Sequence, residues 1–246
     1  MSEQTKKVAL ITGANKGIGL ETARQLGKLG ITVLIGARDL GRGEKAAAEL
    51  VAEGIDAKAL KLDVVNASDV TAAAAWIEKE YGVLDILVNN AGVMTESMNG
   101  NTTSTVSEKT LRDTFEANLF SVVLLTQALL PLVKKSAAGR IVNVSSILGS
   151  LTFGATPGSP IYEVKTFAYN TSKAALNSFT IHLAAELKDT KIKVNSAHPG
   201  WVKTDLGTDA APMNVVDGAK TEVALATLPD DGPTGGFFHL GETLPW

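Results

Sequence analysis

Tyr169 and Lys173 stand four positions apart in the stretch FAYNTSK, in a chain of 246 residues that contains only three tyrosines. Residues four apart lie on one face of an α-helix, so a helix here places the phenol beside the ammonium group. A tyrosine with the usual pKa of about 10 exchanges protons poorly at neutral pH, and an ammonium about 4 Å away lowers that pKa by about 2–3. The pair is therefore a candidate acid/base group. The alternative is a tyrosine ring that packs on a lysine stem.

Two further sets of polar residues are candidates for the same site. Ser145 and Ser146 end the apolar run RIVNVSS, where a hydroxyl can hydrogen-bond the carbonyl oxygen of a substrate; the alternative is a serine that caps the strand. Asn118 interrupts a helix face that is otherwise apolar, and a buried amide must find hydrogen-bond partners. Asn118 either binds a water that connects Lys173 to solvent or is a structural residue.

The elements that position these residues alternate along the chain. Short apolar runs predict five strands, at residues 7–12, 31–37, 84–90, 140–146 and 192–197, and the alternating run at 57–63 predicts a sixth. Segments with helical spacing follow them, at residues 18–29, 43–54, 68–82, 108–135 and 171–188. This order predicts an α/β fold: one doubly wound domain over residues 1–246, with a parallel sheet of about seven strands and helices on both faces. Ligands of such sheets bind beyond the carboxyl ends of the strands.

The first predicted strand runs into TGANKGIG, residues 12–19, whose glycines are Gly13, Gly17 and Gly19. Glycine permits positive φ and close approach of the backbone to a diphosphate. The helix that follows directs its N-terminal amides at that anion. The spacing GxxxGxG differs from the GxGxxG of many dinucleotide sites, and a tight turn that needs glycine for packing is the alternative. The position after the first strand of a βαβ unit favours a dinucleotide.

Two cations indicate which dinucleotide. Lys16 lies inside the glycine loop, and Arg38 follows the second predicted strand. Ala37 stands where a strand-end carboxylate would bind the ribose of NAD, although Asp39 is available by spacing. Two cations suit an adenosine 2′-phosphate, and the alternative is that both are solvated surface charges. We predict NADP(H), with NAD(H) as the alternative.

The composition of the chain limits the kinds of partner and bound group that we expect. The net charge of −3 gives no reason to expect nucleic acid or an anionic membrane. The absence of cysteine excludes disulfides, thiolate metal sites and a cysteine nucleophile, and the three histidines lack metal-site spacing, so no metal is expected. The N-terminal MSEQTKK has no apolar signal region, and the apolar run 119–133, which polar residues interrupt, predicts a buried helix. We expect a cytoplasmic protein.

Six motifs follow one another along the chain in an order that matches a known protein family. TGANKGIG, NNAG (89–92), Asn118, VSS, YNTSK and HPGWVKTD (198–205) resemble the motifs of the short-chain dehydrogenase/reductase family. The resemblance covers about residues 7–246. TGANKGIGLE, GARD and GPTGGFF are most similar to the monomeric carbonyl reductase branch.

The resemblance implies a role for each matching residue. Tyr169 would be the acid/base, and Lys173 would bind the nicotinamide ribose and lower the Tyr169 pKa. Ser146, the second serine of its motif, would polarise the substrate carbonyl, and Asn118 would anchor a proton-relay water. The cofactor contacts implied are Gly13, Asn15, Lys16, Gly17, Ile18, Gly19, Arg38, Asp63, Val64, Asn90, Ala91, Gly92, Tyr169, Lys173, Pro199, Gly200, Val202 and Thr204. Among these, Asp63 and Val64 would meet the adenine, Asn90 the adenosine side, Lys16 and Arg38 the 2′-phosphate, and the last four residues the nicotinamide.

The implied function is the reversible, NADPH-dependent reduction of a ketone or aldehyde. The substrate would be held by an insertion at 147–168 that is longer than in most family members, by the loop from Met94 to Thr105, and by a flexible lid at 205–219. Met94, Phe153, Tyr162 and Met213 in these segments favour an apolar carbonyl compound, although such residues are as often plain packing.

Two other functions and two quaternary states remain open. An NADP(H)-binding regulator without turnover would typically lose the tyrosine or the lysine. An enzyme that epimerises or dehydrates nucleotide sugars would need a longer C-terminal segment. The chain is a monomer or a homo-oligomer.

Overall fold

Eight strands form one sheet in the order β3-β2-β1-β4-β5-β6-β7-β8. The computed structural model describes residues 6–96 and 103–246. In chain order the strands are β1 (Val8–Thr12), β2 (Thr32–Ala37), β3 (Ala57–Lys61), β4 (Ile86–Asn89), β5 (Arg140–Val144), β6 (Lys193–Ala197), β7 (Phe237–His239) and β8 (Glu242–Thr243). Neighbours pair in parallel from β3 to β7, and β8 pairs antiparallel to β7. The predicted doubly wound α/β fold is confirmed, and the short β8 is one strand more than predicted.

Helices cover both faces of this sheet. They are α1 (Gly17–Lys28), α2 (Leu40–Ala52), α3 (Ala67–Tyr81), α4 (Glu108–Phe115), α5 (Ser121–Val133), α6 (Leu151–Ala155), α7 (Phe167–Glu186) and α8 (Val215–Ala226). Residues of α3, α5 and α7 form one apolar core, and residues of α1, α2 and α8 form the other. Successive residues of β1 belong to different cores: Val8 and Leu10 to the first, Ala9 and Ile11 to the second. A strand buried on both sides has no polar face, which is why five of the predicted strands are continuously apolar.

The strand order reverses beside β1. Its neighbours are β2 and β4, so the connections that leave β1 and β4 run to opposite sides of the sheet. The hydroxyl of Thr12, the last residue of β1, accepts hydrogen bonds from the amides of Asn90 (3.0 Å) and Ala91 (2.9 Å), just beyond β4. The two loops therefore meet at the point where doubly wound sheets bind ligands.

The predicted long helix at 108–135 is divided. A π-helical turn, Glu116–Phe120, separates α4 from α5, and such turns are rare and frequent at functional sites. The stretch Glu108–Val133 is long and apolar enough by composition to cross a membrane, with 44% of its most apolar window buried. Thr126 within it is buried and accepts a hydrogen bond from Asn89 of β4 at 3.1 Å, as in a helix that packs on the sheet.

Two segments predicted as loops contain helix. The insertion includes a 3₁₀ turn, Ile147–Gly149, and then α6, because the Ser150 hydroxyl accepts a hydrogen bond from the Phe153 amide at 3.1 Å and starts the helix. The amide of Thr152 also donates to the carbonyl of Trp246 at 2.9 Å, which ties α6 to β7, where the Trp246 ring stacks on Phe237.

The second segment is the predicted lid at 205–219. Its last part is the start of α8, where Asn214 accepts a hydrogen bond from the Asp217 amide at 2.9 Å. Of the third predicted substrate segment, from Met94 to Thr105, residues 97–102 lie outside the described residues.

Candidate active site

Tyr169 and Lys173 lie one turn apart in α7, as their spacing predicts. Both are buried, with relative exposures of 7% for Tyr169 and 4% for Lys173. The ammonium nitrogen of Lys173 lies 5.7 Å from the centre of the Tyr169 ring and donates a hydrogen bond to the carbonyl of Val144 at 2.8 Å. Val144 ends β5, so this bond fixes the lysine at the carboxyl edge of the sheet.

The serine pair after β5 divides into two roles. The hydroxyl of Ser146 accepts a hydrogen bond from the amide of Leu148 at 3.2 Å, and it lies close enough to the phenol of Tyr169 to lower the pKa of that phenol. The hydroxyl of Ser145 instead donates to the main-chain carbonyl of Lys173 at 3.4 Å and is buried there. Ser146, the serine preferred from the sequence, therefore lies next to the phenol. Ser145 bonds to the main chain of α7 instead.

The pKa of Tyr169 is raised in this structure, whereas the pairing with Lys173 predicts a lowered value. Burial raises the pKa of Tyr169 to about 12, and the nearby Ser146 hydroxyl opposes that rise only in part. Burial also lowers the pKa of Lys173 to about 8, against the attraction of the Glu222 carboxylate. Desolvation penalises the charged form of each group. The phenol is therefore protonated at neutral pH, which makes it a proton donor.

Asn118 lies in the π-helical turn and joins three elements. Its amide nitrogen donates to the carbonyl of Val93 (2.9 Å) and to the hydroxyl of Ser172 (3.0 Å), and its oxygen accepts from the amide of Val93 (2.8 Å). A Cβ atom built on Gly92 would lie 3.2 Å from that oxygen and 3.5 Å from the Lys173 nitrogen. Asn118 is thus next to Lys173, but neither side-chain N–H is left to hold the predicted water.

Sequence reasoning missed Glu96. Its buried carboxylate accepts a hydrogen bond from the main-chain amide of Tyr169 at 2.8 Å. Thr166, the residue before α7, makes no capping hydrogen bond with its side chain, so Glu96 satisfies an amide in the first turn of α7. The two residues are 73 positions apart, and no local pattern links them.

The glycine loop forms the other end of the site. Gly17 has φ of +59°, which favours glycine, and a Cβ atom built on Gly19 would lie 2.4 Å from the side-chain Nδ2 atom of Asn90 and 3.1 Å from the Cα atom of Ala14. Lys16 precedes α1 and makes no capping hydrogen bond with the helix. The first amides of α1 have no side-chain cap, and such amides suit a phosphate group. This end of the site therefore fits a dinucleotide.

Asp39, the acidic residue that could bind the ribose of NAD, caps a helix instead. The carboxylate of Asp39 accepts a hydrogen bond from the amide of Arg42 at 3.0 Å and caps α2. Arg38 is exposed at the end of β2, and within residues 6–96 and 103–246 it forms no ion pair. Lys16, also exposed, pairs with Asp205. A free guanidinium and a capping carboxylate favour a 2′-phosphate over a 2′-hydroxyl.

The predicted adenine and adenosine contacts lie at the same edge. Asp63 follows β3, and its amide donates to the carboxylate of Asp69 at 2.9 Å. Val64 packs in part against the apolar core. The amide nitrogen of Asn90 donates to the carbonyl of Thr12 at 2.7 Å, so this part of its side chain holds the glycine loop.

The predicted nicotinamide loop follows β6. Pro199 is buried, and Gly200 has φ of +96° and packs against Met213, whose sulfur would lie 2.8 Å from a Cβ atom there. The side chain of Val202 is buried against Gly218 of α8 and faces the interior. Any cofactor contact of Val202 would therefore come from its main chain.

His198 connects this loop to the serine loop. Its ring is buried, and its Nδ1 atom accepts hydrogen bonds from the amides of Ile147 (3.3 Å) and Gly200 (3.4 Å). Burial, with a smaller contribution from the neighbouring His239, lowers the pKa of His198 to about 3, so the ring is neutral. The sequence predicts packing or surface histidines, and His198 packs between two loops of the site.

Comparison with known proteins adds to this geometry. A family model described as short chain dehydrogenase matches residues 7–214. Short-chain dehydrogenase/reductase 1 of Saponaria officinalis is 34% identical, over 98% of this chain and 96% of that protein. Carbonyl reductase (NADPH) 3 of Rattus norvegicus is 34% identical, over 92% of each. An NADPH-bound carbonyl reductase from chicken fatty liver has a similar structure, with a TM-score of 0.84 and 27% identity over 98% of this chain and 99% of that one.

Proposed function

The chain belongs to the short-chain dehydrogenase family, and from that premise we propose that it reduces a ketone or aldehyde to an alcohol with NADPH. One observation carries the proposal. A protonated, buried phenol at Tyr169 lies near the Ser146 hydroxyl and the Lys173 ammonium, beyond the carboxyl end of β5. The carbonyl reductases among its relatives, whose names specify NADPH, support the same reaction.

In this mechanism Ser146 and Tyr169 hold the substrate oxygen. The Ser146 hydroxyl is close enough to the phenol to affect its pKa, so one carbonyl oxygen placed between the two hydroxyls would accept from both. Bound NADPH would supply the hydride. As the carbon–oxygen double bond becomes a single bond, Tyr169 donates its proton to the oxygen. Donors placed where negative charge develops contribute about 10²- to 10³-fold each to the rate.

Lys173 holds the cofactor ribose and stabilises the phenolate that Tyr169 becomes. Its ammonium group has three donors, of which one is bonded to the carbonyl of Val144. The other two remain for a ribose hydroxyl and for the path by which Tyr169 recovers its proton. The phenolate that follows proton donation is a buried anion, and the nearby cation lowers its cost.

The cofactor is NADP(H), bound by its 2′-phosphate. The free guanidinium of Arg38 and the ammonium of Lys16 are the two cations at the edge formed by β2 and the glycine loop. The relatives named carbonyl reductase (NADPH) support this choice.

The substrate is apolar. The insertion at 147–168, the chain after Gly92 and the segment 205–219 would enclose it. Phe153, Tyr162 and Met213 are half-buried residues of these segments. Lys165 lies over the ring of Tyr162, 4.6 Å from its centre, so this tyrosine is paired on the surface and is no rival to Tyr169.

The test is turnover with a panel of aldehydes, ketones, quinones and α-keto esters. Purified protein is mixed with NADPH or NADH, loss of nicotinamide absorbance is followed, and the alcohol product is identified. We expect turnover of apolar carbonyl compounds, with NADPH preferred. Tight binding of NADPH without turnover of any compound would favour the regulatory alternative.

A further inference from the structure

The glycine loop touches the segment that follows β6. The ammonium group of Lys16 forms an ion pair with the carboxylate of Asp205, 189 residues further along the chain. Next to this pair, a Cβ atom built on Gly17 would lie 3.5 Å from the side chain of Thr204. Lys16 belongs to the loop assigned to the cofactor phosphates, and Asp205 begins the segment assigned to the substrate.

The ion pair occupies Lys16, which is one of the two cations assigned to the 2′-phosphate. Arg38 has no ion pair in the part of the chain that the structure describes, whereas Lys16 has one. The Lys16 ammonium holds the pKa of Asp205 below its usual range, so Asp205 is a carboxylate at neutral pH. A phosphate that approaches Lys16 must therefore displace the carboxylate of Asp205, and the negative charge of Asp205 also repels the phosphate.

We propose that Asp205 is a specificity-determining residue that competes with the adenosine 2′-phosphate for Lys16. The inference rests on the proposed function, since it requires a cofactor with that phosphate. Asp205 weakens the binding of NADP(H). It leaves the binding of NAD(H) unchanged, because a 2′-hydroxyl does not need an ion pair with Lys16. The side chains of Lys16 and Asp205 are 61% and 81% exposed, and ion pairs this exposed are weak. We therefore expect a change of about two- to fivefold.

The competition also links the two halves of the site. When the phosphate takes Lys16, the segment after Thr204 loses a tether to the glycine loop. Trp201 reports on that segment, because its ring nitrogen donates to the carbonyl of Gly207 at 2.7 Å and its side chain is half exposed.

The experiment compares Asp205→Asn with a matched control. Asp209→Asn removes the same charge four residues away in the same segment, and Asp209 has no ion pair in residues 6–96 and 103–246. Dissociation constants are measured for adenosine 2′,5′-bisphosphate and for adenosine 5′-monophosphate by calorimetry, with Trp201 fluorescence recorded. Neither probe requires turnover.

We expect Asp205→Asn to tighten binding of the bisphosphate about two- to fivefold and to leave the monophosphate unchanged, with a smaller effect of Asp209→Asn. Equal effects of the two substitutions, or equal effects on the two nucleotides, would overturn the proposal. Lys16→Ala separates this outcome from failure of the proposed function. If Lys16→Ala weakens the bisphosphate while Asp205→Asn changes nothing, the NADP site stands and the competition does not. If Lys16→Ala and Arg38→Ala both leave bisphosphate binding unchanged, the cofactor assignment fails as well.

Discussion

Burial shifts the pKa values of Tyr169 and Lys173 in opposite directions. The phenol and the ammonium of Lys173 are both desolvated, which raises one pKa to about 12 and lowers the other to about 8. The spacing of Tyr169 and Lys173 was sufficient to predict their contact, because the helix period is local. The spacing did not predict the direction of the two pKa shifts, since that direction depends on burial by elements that are distant in the chain.

Other residues of the site have no local pattern. Glu96, His198 and Asp205 each contact the site through a partner that is 73, 51 or 189 residues away in the chain, respectively. A sequence shows the residue types at such positions but not the contacts. The polar types of Glu96 and His198 gave no signal, because a buried polar side chain is recognised only once its neighbours are known.

His198 is expected to position the serine and nicotinamide loops through its Nδ1 atom. His198→Leu removes the acceptor for the amides of Ile147 and Gly200, whereas His198→Asn retains an acceptor at nearly the same place. We expect kcat to fall about tenfold in His198→Leu and to recover largely in His198→Asn, since small misplacements of reacting groups are costly. Steady-state kinetics of both variants checks this. Equal losses in the two variants would indicate a packing role alone.

At the scale of elements, the strands were the most predictable part. Apolar runs placed five of the six predicted strands, because a parallel sheet buries both faces, and alternation placed β3, which lies at the edge of the sheet. The π-helical turn at Asn118 and the helix α6 were not predicted. Asn118 lies in this turn and bonds to Val93 and Ser172 on other elements, and these contacts cannot be read from the local sequence. Short helices such as α6 depend on one capping serine within a segment whose glycines and prolines indicate a loop.

The packing of the 3₁₀ turn on α7 sets the distance between Ser146 and Tyr169. A Cβ atom at Gly149 would lie 2.7 Å from the carbonyl carbon of Lys173, and that main-chain atom has no free rotation. Gly149→Ala should therefore push the turn away from α7. We expect kcat to fall about tenfold or more, and stability to fall by about 1–3 kcal/mol.

Gly154→Ala is the matched control, because a Cβ atom on this glycine of α6 meets nothing within 4 Å. It should leave kcat unchanged. Kinetics and thermal unfolding of the two variants provide the comparison. A Gly149→Ala enzyme with the activity of Gly154→Ala would show that this contact does not set the geometry.

At the scale of the whole molecule, the loops that follow the six strands β1 to β6 form the site at one edge of the sheet. The molecule also buries a titratable group that lies outside this set of loops. Glu222 of α8 is fully buried, accepts a hydrogen bond from Thr22 at 2.7 Å, and has one oxygen without a partner. Burial raises the pKa of Glu222 to about 8, against opposing effects of Thr22 and Lys173.

Glu222 should make stability depend on pH. Because its pKa is raised in the folded state, its contribution is fully present below the unfolded pKa of about 4.5, and it is lost as pH rises through about 8. Glu222→Gln removes this titration. We expect the unfolding free energy of the wild type, relative to that of Glu222→Gln, to decrease between pH 5 and pH 8.5.

Thermal unfolding across this pH range checks the prediction. The difference between the two proteins cancels the titration of His198 and of other groups that do not interact with Glu222, and it retains the effect of Glu222 on the pKa of Lys173. Glu44→Gln is the control, since Glu44 is exposed and forms no ion pair in the described part of the chain. A constant difference between wild type and Glu222→Gln at all pH values would contradict the assignment.

The most direct test of the whole account is Tyr169→Phe, which removes the hydroxyl and keeps the ring. With an accepted carbonyl substrate, the rate of NADPH oxidation is measured alongside the dissociation constant for NADPH. We predict that kcat falls at least about 100-fold, as expected for loss of a general acid, while NADPH still binds. A Tyr169→Phe enzyme that reduces the substrate at the wild-type rate would contradict the proposed role of the phenol.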